Sequence, residues 1–164
     1  MITFRVEELI ADESGLWSWA ARFAPLLAQG GVVLLKGPLG AGKTTAVKAL
    51  VRSLGVRADV TSPTFDLLHV YDAPGLVIFH LDGYRISDPR EWDVLDLPPP
   101  GDPGALILAE WGDDLRVQYP ERVEISLEMV VSRPEARRLV MTGLGQVFAP
   151  RLEAWQKEGA EHGI

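Results

Sequence analysis

The sequence predicts an α/β protein with a mixed central sheet, and three observations carry that prediction. Val32-Val33-Leu34-Leu35 is a short, wholly apolar run that leads through a glycine-rich turn into a helical pattern. Such a run fits a strand buried on both faces, as in a parallel sheet. Ala105 to Ala109 is a second run of the same kind. Two further pairs of strand-like segments lie close enough together to form hairpins, which add antiparallel strands. At 164 residues the pattern strand, loop, helix, strand fits one α/β domain spanning residues 1–164.

Each element has a local reason. From Ser14 to Gln29, apolar Leu16, Trp19, Ala20, Phe23, Leu26 and Leu27 recur at three- and four-residue steps, which predicts a helix with Ser14 as its cap. Gly30-Gly31 ends it. A second helix runs from about Lys43 to Leu54 and stops at Gly55. Phe65 to Tyr71 and Leu76 to Leu81 read as a hairpin around the four-residue turn Asp72-Ala73-Pro74-Gly75. Asp88 before Pro89 marks a short helix start. Pro98-Pro99-Pro100-Gly101-Asp102-Pro103-Gly104 lacks most of the amide donors that regular structure needs, so it is a stiff surface loop. Val123 to Val130 and Arg138 to Met141 form the second hairpin, and Gly145 to Lys157 a closing helix.

Composition bounds the function. With 47% hydrophobic and 24% charged residues the chain is an ordinary globular protein. It contains no cysteine, so no disulfides are expected. No apolar run approaches the roughly 18 residues of a membrane span, and the N-terminus carries no leader pattern. A cytoplasmic protein is the expectation. The net charge is −7, from 16 basic and 23 acidic residues, and it is concentrated. Between Asp82 and Asp114 stand nine acids and two bases, while the rest of the chain is balanced. That acidity argues against a broad nucleic-acid surface.

Gly37-Pro38-Leu39-Gly40-Ala41-Gly42-Lys43-Thr44 matches G-x-x-x-x-G-K-[ST] at every fixed position, between a buried strand and a helix. This is the phosphate loop of nucleotide-binding proteins, and it sharpens the fold class to a P-loop NTPase-type three-layer sandwich around the mixed sheet. Glycines let successive amides point at one anion beside the positive end of the following helix. Pro38, Leu39, Gly40, Ala41, Gly42, Lys43, Thr44 and Thr45 are therefore the expected ATP-binding residues. Lys43 would add a full charge on the β- and γ-phosphates, and the Thr44 hydroxyl would ligate Mg²⁺.

Such a site also needs an acid at the C-terminal end of a buried strand. Asp82, after Val77 to Leu81, and Glu110, after Ala105 to Ala109, both qualify, and the pattern alone does not say which one holds the metal. Thr61-Ser62-Pro63-Thr64-Phe65 lies where P-loop switch proteins carry hydroxyls that reach the γ-phosphate. As a segment by itself it reads equally as a proline turn with capping hydroxyls.

Taken together, Gly37 to Thr45, Ser62-Pro63-Thr64-Phe65, His80-Leu81-Asp82-Gly83-Tyr84-Arg85, Asp88-Pro89 and Glu110-Trp111 resemble the TsaE (YjeE) family in order and spacing. The resemblance runs from about Ser14 to Arg138. It implies a small ATPase that assists threonylcarbamoyl-adenosine modification of tRNA as a partner of the TsaD–TsaB pair, in which TsaD performs the transfer. It also implies that Thr44 and Glu110 hold Mg²⁺, that Asp82 lies beside the phosphates, and that Ser62 to Phe65 is the switch-like segment. Trp111 is singled out by the resemblance, although its residue type fits a core aromatic equally well.

The chain departs from the family in several places. Gly83 stands where the family usually has leucine, and Asp96 where it has glycine, followed by the proline-rich loop. A glycine at 83 is expected to loosen the backbone before Tyr84 and Arg85. In related proteins, base contacts come from the region matching Asp12 to Ser14, with Glu13 among them, and from a basic residue of the last hairpin. Arg133 and Arg137 both qualify for the latter.

The mechanism this implies assigns catalytic roles to Lys43, Asp82 and Glu110. Loop amides and Lys43 neutralise phosphate charge, Thr44 and Glu110 hold the metal, and Asp82 orients water. Arg85 is either a further cation at the phosphates or a tie to the acidic window. Two rival functions share the loop: a small-metabolite kinase, and a nucleotide-gated adaptor with no catalytic requirement. The acidic surroundings predict contact with tRNA only indirectly, through the protein partner.

Overall fold

The computed structural model of the chain describes residues 1–61, 63 and 67–161. Seven strands form a single sheet in the order β1-β7-β6-β2-β5-β4-β3. They are β1 Thr3–Ile10, β2 Gly31–Lys36, β3 Leu68–Ala73, β4 Leu76–Asp82, β5 Ala105–Glu110, β6 Arg122–Val130 and β7 Arg133–Leu144. The helices are α1 Glu13–Phe23, α2 Lys43–Ser53 and α3 Gly145–Glu161. The four central strands, β6, β2, β5 and β4, are parallel. The sheet is antiparallel at both margins, where β3 pairs with β4 and β1 and β7 continue from β6. The expected mixed α/β architecture is present.

Alternate residues of the central strands serve two layers, as the period of two requires. Val33, Leu35, Ile78, Leu106 and Leu108 face one core with Trp19, Phe23, Val47, Leu50 and Leu152 from the three helices. Val32, Leu34, Leu81, Ile107 and Ala109 face a smaller core closed by Trp92, Leu115 and Tyr119. That second layer is built of 3-10 turns, Pro89–Val94 and Asp113–Arg116, rather than long helices. All six residues of β5 are buried. This is why its sequence reads as an unbroken apolar run. Each fully buried leucine or isoleucine here stabilises the fold by about 1.5–3 kcal/mol. Trp19 stacks on Phe23 at 5.0 Å, and Trp155 meets Phe23 edge-on at 5.3 Å, locking α3 to α1.

Several element boundaries differ from the sequence reading for definable reasons. The cap of α1 is Asp12, whose carboxylate accepts from the Gly15 amide at 2.9 Å, not Ser14. Pro25 lacks an amide donor, so α1 gives way to a 3-10 turn, Ala24–Leu27, instead of continuing to Gln29. The first hairpin turns on two residues, Pro74-Gly75, because Ala73 pairs directly with Leu76. Proline followed by a glycine at φ 69° suits the second and third positions of a type II turn. The strand β1, absent from the sequence reading, covers the β7 edge from Thr3↔Leu144 to Ile10↔Arg137. Pro89–Val94 is a 3-10 turn with a reciprocal cap between Asp88 and Glu91. No helix among the described residues is long and apolar enough to cross a membrane.

Candidate active site

Parallel register puts the ends of three strands side by side. Leu35 of β2 pairs with Glu110 of β5, and Asp82 of β4 pairs with the same Glu110. The chain leaves β2 at Lys36, turns through Gly37 to Gly42 and enters α2 at Lys43. Loop, Asp82 and Glu110 therefore share the carboxyl edge of the sheet, where open α/β folds place their ligands. Gly37 has φ 146°, and a Cβ there would lie 2.6 Å from the Leu127 carbonyl oxygen of β6. Only glycine permits that approach.

Lys43 is 5% exposed and folds back on its own loop. Its Nζ donates to the carbonyls of Gly37 at 2.6 Å and Pro38 at 3.0 Å. The amine also lies 4.4 Å from the centre of the Trp111 ring, a cation–π contact. Burial lowers the pKa of this amine, against the opposing pull of the Glu110 and Asp82 charges. Trp111 itself stands 5.2 Å from Tyr84, ring to ring. It is 38% exposed, which rules out the core-aromatic reading. Trp111 (φ 55°) and Leu67 (φ 58°) are the two non-glycine residues with left-handed backbone among the described residues, and both line this cleft. Such conformations cost about 1–3 kcal/mol each and cluster at functional sites.

The Thr44 hydroxyl donates to Glu110 Oε1 at 2.9 Å. The other carboxylate oxygen, Oε2, is 2.7 Å from His80 Nε2. Two neighbouring ligands of an octahedral Mg²⁺, each at 2.0–2.1 Å, stand about 2.9 Å apart. The Thr44–Glu110 pair already has that spacing and the all-oxygen chemistry a hard cation requires. Among the described residues no group of three or more His, Cys, Asp or Glu could hold a metal. A cation here would complete its shell with phosphate oxygens and water. Asp82 is half-buried; its Oδ1 accepts from the Tyr84 amide at 3.0 Å.

Leu39, Gly40, Gly42, Lys43, Thr44, Thr45, Asp82 and Glu110 thus line one cleft of about 520 Å³, together with Tyr84 and Arg85. Pro38 lies behind the cleft, giving its carbonyl to Lys43, and Ala41 is buried against the core. Arg137 is committed to the loop: Nε donates to the Ala41 carbonyl at 2.7 Å and Nη2 to that of Gly40 at 3.3 Å. Arg133 is exposed at the start of β7. Asp12 spends its carboxylate on the α1 cap. Of Ser62-Pro63-Thr64-Phe65, all but Pro63 fall outside the described residues. The expectation of a loosened backbone at Gly83 does not hold, because a Cβ there would lie 2.4 Å from the Trp111 carbonyl oxygen and 2.5 Å from the Trp92 ring. The proline-rich loop lines a separate cavity of about 270 Å³ with Tyr119 and Phe148, and the Tyr119 hydroxyl donates to Pro98 at 2.6 Å. Sequence reasoning gave His80 no role. The available signal was period: it lies two residues before Asp82 on a buried strand, so both side chains leave the same face.

Comparison with known proteins identifies the family. Residues 10–139 match the family described as Threonylcarbamoyl adenosine biosynthesis protein TsaE. The tRNA threonylcarbamoyladenosine biosynthesis protein TsaE of Streptomyces coelicolor is 40% identical over 136 residues, 78% of this chain and 90% of the relative. Proteins of the same name from Haemophilus influenzae and Treponema pallidum are 28% and 36% identical, over 85% and 68% of this chain and 92% and 83% of their own lengths. The crystal structure of YdiB from Bacillus subtilis superimposes with a TM-score of 0.73 at 23% identity, covering 96% of this chain and 98% of that one. The chain belongs to the TsaE family.

Proposed function

We propose that the chain is an ATP hydrolase of low intrinsic turnover that assists threonylcarbamoyl-adenosine modification of tRNA in the cytoplasm. Its partner is the TsaD–TsaB transferase, and it meets tRNA through that partner. The observation that carries the reading is the 2.9 Å contact between Thr44 and Glu110 beside a buried lysine at the mouth of a phosphate loop.

Each residue has one task. The loop amides, held in place by Arg137 on the Gly40 and Ala41 carbonyls, donate hydrogen bonds to phosphate oxygens. Lys43 leaves the Gly37 and Pro38 carbonyls to take up phosphate charge. Thr44 and Glu110 would hold Mg²⁺, which when bound would neutralise charge developing on the phosphates. Asp82 accepts a hydrogen bond from water and orients it. Trp111, with Tyr84 against its ring, covers the lysine and strengthens its electrostatic hold.

Phosphate release, measured for the protein alone and with TsaD–TsaB and tRNA, tests the proposal. Stimulation only in the complex supports it. A phosphorylated small-molecule acceptor would establish the kinase instead. Partner affinity that is equal with ATP, ADP and no nucleotide would remove the switch, since a ligand shifts an equilibrium only by its differential affinity.

A further inference from the structure

We infer that His80 is the positioning residue for Glu110, holding its carboxylate in the orientation that presents Oε1 toward Thr44. The inference rests on the reading of Glu110 as a metal ligand and extends it to a residue that takes no part in binding. His80 is fully buried in β4, between the core under α2 and the strand end that carries Asp82. Its Nε2 lies 2.7 Å from Glu110 Oε2, while Thr44 Oγ1 lies 2.9 Å from Oε1. The carboxylate is thereby gripped at both oxygens, from two different elements. Without the imidazole, Oε2 would have no donor among the described residues, and rotation about the last side-chain bond, which is broad for glutamate, would be unopposed on that side.

The cost of the arrangement argues for its purpose. The other ring nitrogen, Nδ1, is buried with no hydrogen-bond partner among the described residues. Neighbouring strand positions on this face, Leu76 and Ile78, are apolar and pack fully. An imidazole at 80 packs less favourably than a leucine and leaves a polar atom unsatisfied. Packing alone would not select it. A carboxylate oxygen accepts and the ring nitrogen facing it must donate, so the ring proton belongs on Nε2. The geometry is that of an outer partner that fixes a metal ligand, and losing such partners typically costs about 10- to 100-fold in metal affinity or activity.

The test measures ADP affinity by calorimetry, with MgCl2 and with EDTA, in the wild type, His80→Leu and His80→Gln. The glutamine amide can donate from near the position of Nε2. Leucine should lose most of the Mg²⁺-dependent gain, about 10- to 100-fold, with affinity in EDTA unchanged. Glutamine should restore the larger part of that gain. His80→Leu keeping the full gain overturns the role, as does an equal loss in EDTA, which marks general damage to the cleft. Side-chain ¹⁵N spectra of the nucleotide-free wild type supply a readout that needs no variant to fold. A ring proton on Nε2, with a shift that moves in Glu110→Gln, is expected, and an Nε2 that carries no proton overturns the inference. A wild type showing no Mg²⁺-dependent gain at all would overturn the metal-site reading itself, and the positioning role with it. A wild type with the gain beside an unaffected His80→Leu sinks the positioning role alone.

Discussion

Trp92 fills the space that a side chain at Gly83 would need: a Cβ on Gly83 would lie 2.5 Å from the indole ring. The two residues sit in different elements, a strand exit and a 3-10 turn. They form one packing decision at the smaller core, which Trp92 helps to close. Gly83 also donates its amide to the Glu110 carbonyl at 2.8 Å, so its position is coupled to the end of β5.

Restoring the family's usual residue should therefore damage this protein. Gly83→Leu is expected to lose about 1–3 kcal/mol to overpacking. A second substitution, Trp92→Ala, should recover only part of it, because the Trp111 carbonyl remains in the way. Urea unfolding of the two single variants and the double variant measures the coupling. Strict additivity would show that the two positions do not share the space.

Lys43→Ala should weaken ATP binding by about 10- to 100-fold, the equivalent of losing charge-assisted contacts worth roughly 1.5–3 kcal/mol. Because the Lys43 amine lies under Trp111, the variant should also shift tryptophan emission before any nucleotide is added. Wild-type affinity in the variant would remove Lys43 from the phosphate site.

Glu110→Gln should make nucleotide affinity the same in Mg²⁺ and in EDTA, and lower hydrolysis by about 100-fold or more. Removing Mg²⁺ from the wild type should reproduce both effects. Titration calorimetry with a phosphate-release assay checks them, and a variant that retains Mg²⁺ dependence would place the ion elsewhere.

Acid should act through Glu124. This carboxylate receives Arg122 Nη2 at 2.6 Å and Arg116 Nη2 at 3.3 Å, and pairs with Lys36 as well. Burial raises its pKa, but the bonds from Lys36 and Arg122 outweigh that and hold it below the ordinary 4.5. A depressed folded-state pKa means that its stabilisation is present above 4.5 and is lost as pH falls through the lower folded value. Glu124→Gln should thus cost about 1.5–3 kcal/mol near pH 7, and the gap from the wild type should close as pH drops below 4.5. Thermal unfolding of both proteins across that range gives the comparison, and a gap independent of pH would reject the ion pairs as its source.

The centre of the fold was legible because its strands are buried on both faces, which leaves no ambiguity in Val32 to Leu35 or Ala105 to Ala109. The margins were harder. In β1 only Val6 and Ile10 are buried, and Arg5, Glu7 and Leu9 face solvent, so the segment carries too weak an alternation to read as a strand. In β7 the stretch before Arg138 holds Pro134, and opposite it β6 shifts register at Met129/Val130, which together hide the pairing of Arg137 with Met129. The loop motif placed Lys43 and Thr44 at once, since their positions follow from spacing. Asp82 and Glu110 could be placed at the same edge but not distinguished, because strand register is a long-range property. That Arg137 reaches the loop carbonyls was not legible either, because the contact joins residues 96 positions apart. His80 was invisible because one imidazole in an apolar strand has no meaning until its partner, thirty residues on, is known.

The antiparallel pairing of the first strand with the last carries a consequence for biosynthesis. Thr3 lies opposite Leu144, and the Gly145 amide donates to the Ile2 carbonyl at 2.8 Å. In synthesis β1 emerges before β7 and has no strand to pair with until β7 follows it. The phosphate loop and its central strands can assemble in the meantime. The edge of β7 closes last, and a nascent chain stalled before that point would expose a sticky strand margin of the kind chaperones are built to cover.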